Sequence, residues 1–408
     1  MPDSPTAPAL KKTALNATHR ALKAKMVDFG GWDMPVEYPG PGAGLIAEHL
    51  AVRTGVGLFD VSHMGELQFR GPGALAAVQH ISMNDASRLV DGQAHYSALL
   101  TPQGTFVDDI LVHRLSENDY LLVVNAGTTD KDFAWIKQQV SRFPGIHLAN
   151  YSPYYSQLAL QGPRSLDTLA RLTRVDLAAI KNYHFTWGTV AGIANTLIAR
   201  TGYSGEDGFE LYIPSDEPTT VAMWNALLNA GAEFDILPCG LGARNTLRLE
   251  AGMSLYGHEI SEDINVFEAG LERFSKIARW LKSAEGGPAL DKGSFIGRDA
   301  LAAVQASGGP KRKIVGLEML DRGIARDGYS VHSIDSDSAS STSGESSTRE
   351  PIGVVTSGSP APFLKANIAM ALVPASVAAS GADLIVECRA NKVRAKQVPI
   401  PFYKRPKK

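Results

Sequence analysis

The chain has 408 residues, with 40 basic against 42 acidic side chains and two cysteines, Cys239 and Cys388. The balance of −2 excludes a global, charge-driven grip on nucleic acid, and two cysteines exclude a disulfide-stapled scaffold or a multi-cysteine metal site. An apolar share of 44 % supplies ample core, and at ~150 residues per domain the length predicts two or three soluble domains.

The first dozen residues hold proline, aspartate and serine before Lys11 and Lys12, with no apolar run behind them, so no secretory signal is expected. Lys11, Lys12, Arg20, Lys23 and Lys25 mimic a transit peptide, but Asp3 and the lack of arginine enrichment favour an ordinary N-terminus. The segments 65–71 and 118–125 read as strands, and 103–115 as a turn followed by a strand. Residues 129–142 have helical spacing, with Thr129 or Asp130 as the expected cap. Paired strands are expected at 194–200 and 208–213 around the turn 202–207, then helices at 217–230 and 238–250. After residue 310 strands dominate, at 313–319, 352–356 and 382–388, which predicts a β-rich C-terminal domain. The tract 335–348 is almost wholly small and polar, and is expected to be a disordered insertion there. The longest apolar stretch, Ile368 to Ala379, is broken by Pro374 and Ser376, so no membrane span is expected.

Familiar catalytic signatures fail. The run 40–45 lacks the third glycine of a dinucleotide fingerprint. There is no phosphate-loop lysine pattern. Glu206 stands where a nucleophile elbow needs glycine. The ten histidines show no zinc-protease spacing.

Three local constellations remain. Asp108 and Asp109 open a strand and so point to opposite faces; an inward carboxylate beside Ile110, Leu111 and Val112 is costly unless used, while the plain alternative is a solvated turn. In 201–211, Tyr203, Glu206 and Glu210 follow turn glycines, and Glu210 is open between the interior and a wet strand edge. The helix 238–250 carries Arg244 and Arg248 on one face.

Together these pieces resemble one family, the aminomethyltransferase (T-protein) of the glycine cleavage system. The resemblance spans about Thr13 to Phe402 through 26–35, 52–64, 104–112, 121–126, 161–163, 201–211, 238–257, 295–300 and 353–358. It implies an α+β fold, a three-domain cloverleaf around a central folate cavity. Two domains are mixed α/β with ferredoxin-like elements, and the third is a C-terminal β-barrel. The implied boundaries are 1–60 with 156–285 for the folate-binding domain, 61–155 for the domain with the catalytic aspartate, and 286–408 for the barrel.

The implied reaction moves the methylene carbon of an aminomethyl group on lipoylated H-protein to tetrahydrofolate and releases ammonia. The products are 5,10-methylenetetrahydrofolate and dihydrolipoyl H-protein. Tetrahydrofolate enters as co-substrate and no metal is involved. Functional links to glycine decarboxylase and dihydrolipoamide dehydrogenase follow, in the cytoplasm, or in the mitochondrial matrix of a eukaryote if a leader was removed, with neither nucleic acid nor membrane as a partner. By resemblance Asp109 is the catalytic aspartate, Glu210 and Arg244 are pterin contacts, and Tyr96 and Tyr203 are aromatic or hydroxyl contacts. Asn125, Met64 and Tyr256 resemble lining positions.

Departures are the Pro/Gly-rich 38–45, Asn245 in place of an acid near Arg244, and the insertion 335–348. The alternatives are a folate-dependent demethylase or methyltransferase, and a non-catalytic folate-binding iron–sulfur assembly protein. The latter carries a cysteine signature around 252–259, where this chain has none. The basic residues after Glu387 are a candidate docking face for an acidic H-protein.

Overall fold

The computed structural model describes residues 9–40, 42–275, 292–334, 350–389 and 391–406. The expected insertion 335–348 lies outside the described residues. The fold is α+β, with an antiparallel five-stranded sheet, a mixed six-stranded sheet, a two-stranded hairpin and a closed C-terminal barrel; a cavity lies between the two larger sheets.

The five-stranded sheet runs Gln93–Leu100, Phe106–Ser116, Asp119–Val124, Gly65–Arg70 and His147–Asn150, every pairing antiparallel. Helices Ala74–Ile81 and Thr129–Val140 cover one face. Alternation divides the side chains: Leu99, Ile110, Val112 and Leu122 join Val78, Ile136 and Val140 in the core beneath those helices. The other face looks across to the six-stranded sheet, where Ala94 and Val123 meet Phe185, Leu197 and Tyr212.

The six-stranded sheet takes Phe185–Val190, Ile193–Ala199, Gly208–Pro214, Tyr155–Gln161, Gly57–Asp60 and Leu237–Cys239 in spatial order. Only the last strand is parallel to its neighbour. Helix Glu217–Gly231 packs Met223, Trp224 and Leu227 against Leu158, Leu160 and Leu211. Asp216 caps that helix by accepting from the Thr219 N–H. The barrel closes through Arg312–Met319, Ala366–Pro374, Gly353–Ala361, Ser330–Ser333, Leu384–Cys388 and Asn391–Val398. Apolar side chains from alternating positions fill it, among them Leu317, Val355, Ala371, Val386 and Val393.

The cap expected at Thr129 or Asp130 is displaced. Thr128 holds the cap position, and no side-chain hydroxyl caps the helix. Both threonine hydroxyls turn back instead: Thr128 Oγ1 donates to Asp108 Oδ2 at 2.8 Å, and Thr129 Oγ1 to the Asn125 carbonyl at 2.9 Å. A cap would use these hydroxyl oxygens as acceptors for the free N–H groups of the helix end; turned inward, the hydroxyls act as donors to a carboxylate and a carbonyl instead.

After the barrel the chain returns to the first sheets. The Tyr403 N–H donates to the Glu250 carbonyl at 2.7 Å, and its ring covers the Arg53 guanidinium at 4.0 Å. Buried Arg53 binds Glu250 at 3.0 Å and Glu206 at 2.9 Å. Ile400 and Pro401 pack on Gly252, whose φ is +63°; a Cβ there would stand 2.1 Å from Ile400 Cγ2. That closeness is why 238–257 ends its helix with Ala251-Gly252.

The expected basic C-terminal face is partly neutralised. Arg394 forms a forked pair with Asp321, and Arg405 lies 3.6 Å from Asp207. Lys407 and Lys408 lie outside the described residues. Cys239 and Cys388 are both buried free thiols.

Candidate functional site

Asp108 and Asp109 are neighbours on one strand and therefore face opposite ways. The strand begins at Phe106, so the pair lies within it and is not a solvated turn. Asp108 points into the helix-covered side and is fully buried. Asp109 faces not bulk water but a cavity, on the same side of the sheet as Leu111, Val123 and Tyr96.

The cavity has an empty volume of about 1200 Å³ and receives walls from both sheets and from the loops after them. The eight residues that the family resemblance pointed to all line it: Asp109, Glu210, Arg244, Tyr96, Tyr203, Asn125, Met64 and Tyr256. Three strands, one helix and four separate turns or loops bring them together, which no local motif could specify.

The Asp109 carboxyl accepts from Tyr96 Oη at 3.1 Å and Asn125 Nδ2 at 2.7 Å. Burial, with the Asp108 charge behind it, pushes the Asp109 carboxyl up to about 7. The group is thus poised to hold or release a proton near neutral pH. Burial and the neighbouring Asp109 hold the Tyr96 phenol well above its usual range, so it stays a donor.

Across the cavity, Glu210 projects from Gly208–Pro214 and is 8 % exposed, which settles its inward orientation. Thr201 donates its hydroxyl to Glu210 Oε2. Burial raises the Glu210 carboxyl, while Thr201 and the Arg244 charge oppose the rise. Arg244 rises from helix Leu241–Glu250 with its guanidinium 4.5 Å from the Tyr203 ring centroid. Tyr203 donates to the Ser254 carbonyl, which ties the 202–207 turn to the loop at 251–256. Tyr256 Oη accepts from Lys131 Nζ at 2.7 Å.

Arg248, four residues beyond Arg244, does not share its task. It turns to Glu259 at 2.9 Å, to Ser357 of the barrel at 2.8 Å and to Asn245 Oδ1 at 2.9 Å. Asn245 therefore serves Arg248 rather than altering the charge at Arg244. Glu206 likewise leaves the cavity for Arg53.

Sequence reasoning missed further lining groups, notably Gln157, Tyr183, Thr201 and Arg273. It also missed the hairpin Lys25–Phe29 and Trp32–Glu37, whose turn presses Gly30 against Gly127 just past Asn125. At Gly30, φ is +57° and a Cβ would meet Gly127 Cα at 2.9 Å. Adjacent glycines in the turn were the available signal.

A carboxyl poised near neutrality, an opposing acid and guanidinium, and apolar walls formed by Met64, Leu111 and Val123 suit a flat heteroaromatic molecule rich in N–H groups. Two sheets facing each other across one cavity, with a closed barrel joined to them, define an α+β protein with a deep polar site between its sheets. Comparisons with known proteins narrow the class. The family described as GCVT N-terminal domain matches residues 15–279, and the glycine cleavage T-protein C-terminal barrel domain matches 312–404. The chain is 64 % identical over 406 residues to an aminomethyltransferase of Acidobacterium capsulatum, covering 99 % of each. It is 49 % identical over 399 residues to an aminomethyltransferase of Moorella thermoacetica, covering 98 % of this chain and 99 % of that one. The crystal structure of glycine cleavage system aminomethyltransferase T from Bartonella henselae superposes with a TM-score of 0.83 at 30 % identity, covering 97 % and 98 % of the two chains. The chain belongs to the glycine cleavage T-protein family of aminomethyltransferases.

Proposed function

We propose that the cavity takes tetrahydrofolate as co-substrate and that the chain transfers to it the methylene carbon of an aminomethyl group carried on the lipoyl arm of H-protein. Folate N5 attacks that carbon, ammonia leaves, N10 closes the methylene bridge, and the dihydrolipoyl arm departs. Glycine decarboxylase would load the arm and dihydrolipoamide dehydrogenase would reoxidise it, in the cytoplasm. In the same reading the division is 1–60 with 156–285, 61–155 and 286–408.

The observation that carries the reading is Asp109, a carboxyl aimed into the cavity by Tyr96 and Asn125 and poised near neutral pH. Asp109 stabilises the positive charge that develops on the reacting amine and moves a proton there. Glu210 accepts from the aminopyrimidine edge, and Arg244 donates to its acceptors. Tyr96, Tyr203, Met64, Asn125 and Tyr256 hold the ring system in register.

The test is incubation with tetrahydrofolate and aminomethyl-lipoyl H-protein, reading ammonia and 5,10-methylenetetrahydrofolate together. Equimolar appearance of both is expected. Folate binding without either product would replace the reading with that of a non-catalytic folate-binding protein.

A further inference from the structure

Behind Asp109, on the far side of its strand, two more acids meet out of water. Asp108 and Asp132 are both fully buried. Asp132 comes from the first turn of helix Thr129–Val140, one turn beyond Thr128, whose hydroxyl donates to Asp108 at 2.8 Å, and burial with the Asp108 charge beside it pushes the Asp132 carboxyl up. Two buried acids this close are not ionised together, so the pair carries one proton.

The donors around the pair decide which acid holds it. Asp108 accepts from the Asn125 N–H at 3.0 Å, Asn125 Nδ2 at 2.8 Å and Thr128 Oγ1 at 2.8 Å. A carboxylate offers about four lone-pair positions, and these donors fill three. Among the described residues, no N–H or O–H group donates to either oxygen of Asp132. The hydroxyl of Thr128 lies beside it, but its one proton serves Asp108. Asp132 is the acid, and its proton fills the fourth position on Asp108. The second hydrogen of Asn125 Nδ2 goes to Asp109 Oδ1 at 2.7 Å. An unbroken chain thus runs from Asp132 through Asp108 and Asn125 to the cavity.

We propose that Asp132 is a positioning residue of this enzyme: as a neutral carboxylic acid it donates to Asp108, and that contact fixes the Asn125 amide that aims Asp109. The inference rests on the role given to Asp109 above. The charged and titratable groups facing this chain are Lys131 beside Asp132, Tyr256 towards Asp108, and Tyr96, Tyr203 and Arg244 towards Asp109. The Asn125 amide carries no exchangeable charge, so Asp132 orients and screens; it does not relay protons to the cavity.

Two substitutions in the full chain separate this from a merely structural role. Asp132→Asn keeps a neutral donor to Asp108 and is expected to retain kcat within about twofold and the wild-type pH profile. Asp132→Ala removes the donor and exposes Asp109 to more of the Asp108 charge. It is expected to lower kcat about tenfold, leave KM for tetrahydrofolate within about twofold, and move the Asp109 limb of the pH profile up by about one unit. Equal losses in both variants, or an unmoved limb in Asp132→Ala, would overturn the proposal. Infrared difference spectroscopy of wild type against Asp132→Asn at neutral pH reads the proton without turnover and does not need Asp132→Ala to fold. Loss of a protonated-carboxyl stretch is expected; its absence from the difference spectrum overturns the assignment. If Asp109→Asn turns over normally, the role of Asp109 fails, while the infrared result still decides whether Asp132 holds the proton.

Discussion

The Arg244 guanidinium lies 4.5 Å from the centre of the Tyr203 ring, and both groups share the cavity with Asp109. Stacking holds the guanidinium plane while its N–H groups stay open to the cavity. An ammonium keeps the charge but loses the plane and the fork. Arg244→Lys is therefore expected to weaken tetrahydrofolate binding by roughly 1–2 kcal/mol, measured by calorimetry. Affinity equal to wild type would show that the guanidinium does not touch the ligand.

Asp109→Asn preserves shape and removes the charge. Turnover is expected to fall by about 10²–10⁴ with folding retained, read as ammonia release from aminomethyl H-protein. Stability follows with a definite sign. The Asp109 carboxyl is raised from its ordinary 3.8 to about 7 on folding, so the folded state holds the proton longer. Wild type therefore loses stability as pH rises between about 4 and 7, and carries the whole penalty above 7. Asp109→Asn should be more stable than wild type at pH 8 by roughly 1–3 kcal/mol and show little gain at pH 4. Thermal melts at the two pH values check this; a constant difference would contradict it.

Glu210→Ala removes an acceptor from a buried wall and leaves the Thr201 hydroxyl without its partner. Tetrahydrofolate affinity should fall by roughly 1–3 kcal/mol, the loss expected for a charge-assisted hydrogen bond. Unchanged calorimetric affinity would move the pterin edge elsewhere in the cavity.

Gly252→Ala tests the wall at 251–256. The new methyl would meet Ile400 and Pro401, on a backbone whose φ of +63° already disfavours side chains. Melting should shift by roughly 1–3 kcal/mol of stability, and folate affinity should fall with it, because Gly252 and Met253 line the cavity. Trimming the obstacle in Gly252→Ala/Ile400→Ala should recover part of the affinity; no recovery would mean that strain, not contact, is the cause.

Arg53→Ala leaves Glu250 and Glu206 facing each other's charge under Tyr403. A loss of roughly 3–5 kcal/mol is expected by chemical denaturation. A loss within about 0.5 kcal/mol would show that the paired acids relax into water.

Much of the architecture was legible because periodicity is a local property. The strands at 118–125 and 208–213 and the helix at 217–230 lie within a residue or two of their observed spans. The Asp108–Asp109 pair announced a strand with opposed acids. What it could not announce was that the second face looks into a cavity, since the opposite wall arrives from residues 201–256. Cavity residues were reached through family motifs, and those motifs did not draw attention to Gln157, Tyr183 or Arg273. Asp132 offered a readable sign: it lies four and eight residues before Ile136 and Val140, on the helix face that packs into the core. An acid on an apolar stripe is either paired or used. The cap was misplaced because the two hydroxyls act as donors, that of Thr128 to Asp108 on another strand and that of Thr129 to Asn125 in the turn before the helix.

The segment from Ile400 to Arg405 acquires a different meaning in the order of synthesis. The loop against which it packs leaves the ribosome early, and the whole barrel must follow before Ile400, Pro401 and Tyr403 can close over Gly252 and Arg53. A nascent chain therefore carries the loop at Gly252 before the segment that covers its outer side. The wall at 251–256 thus gains its outer support last, after every residue that lines the cavity has already been made.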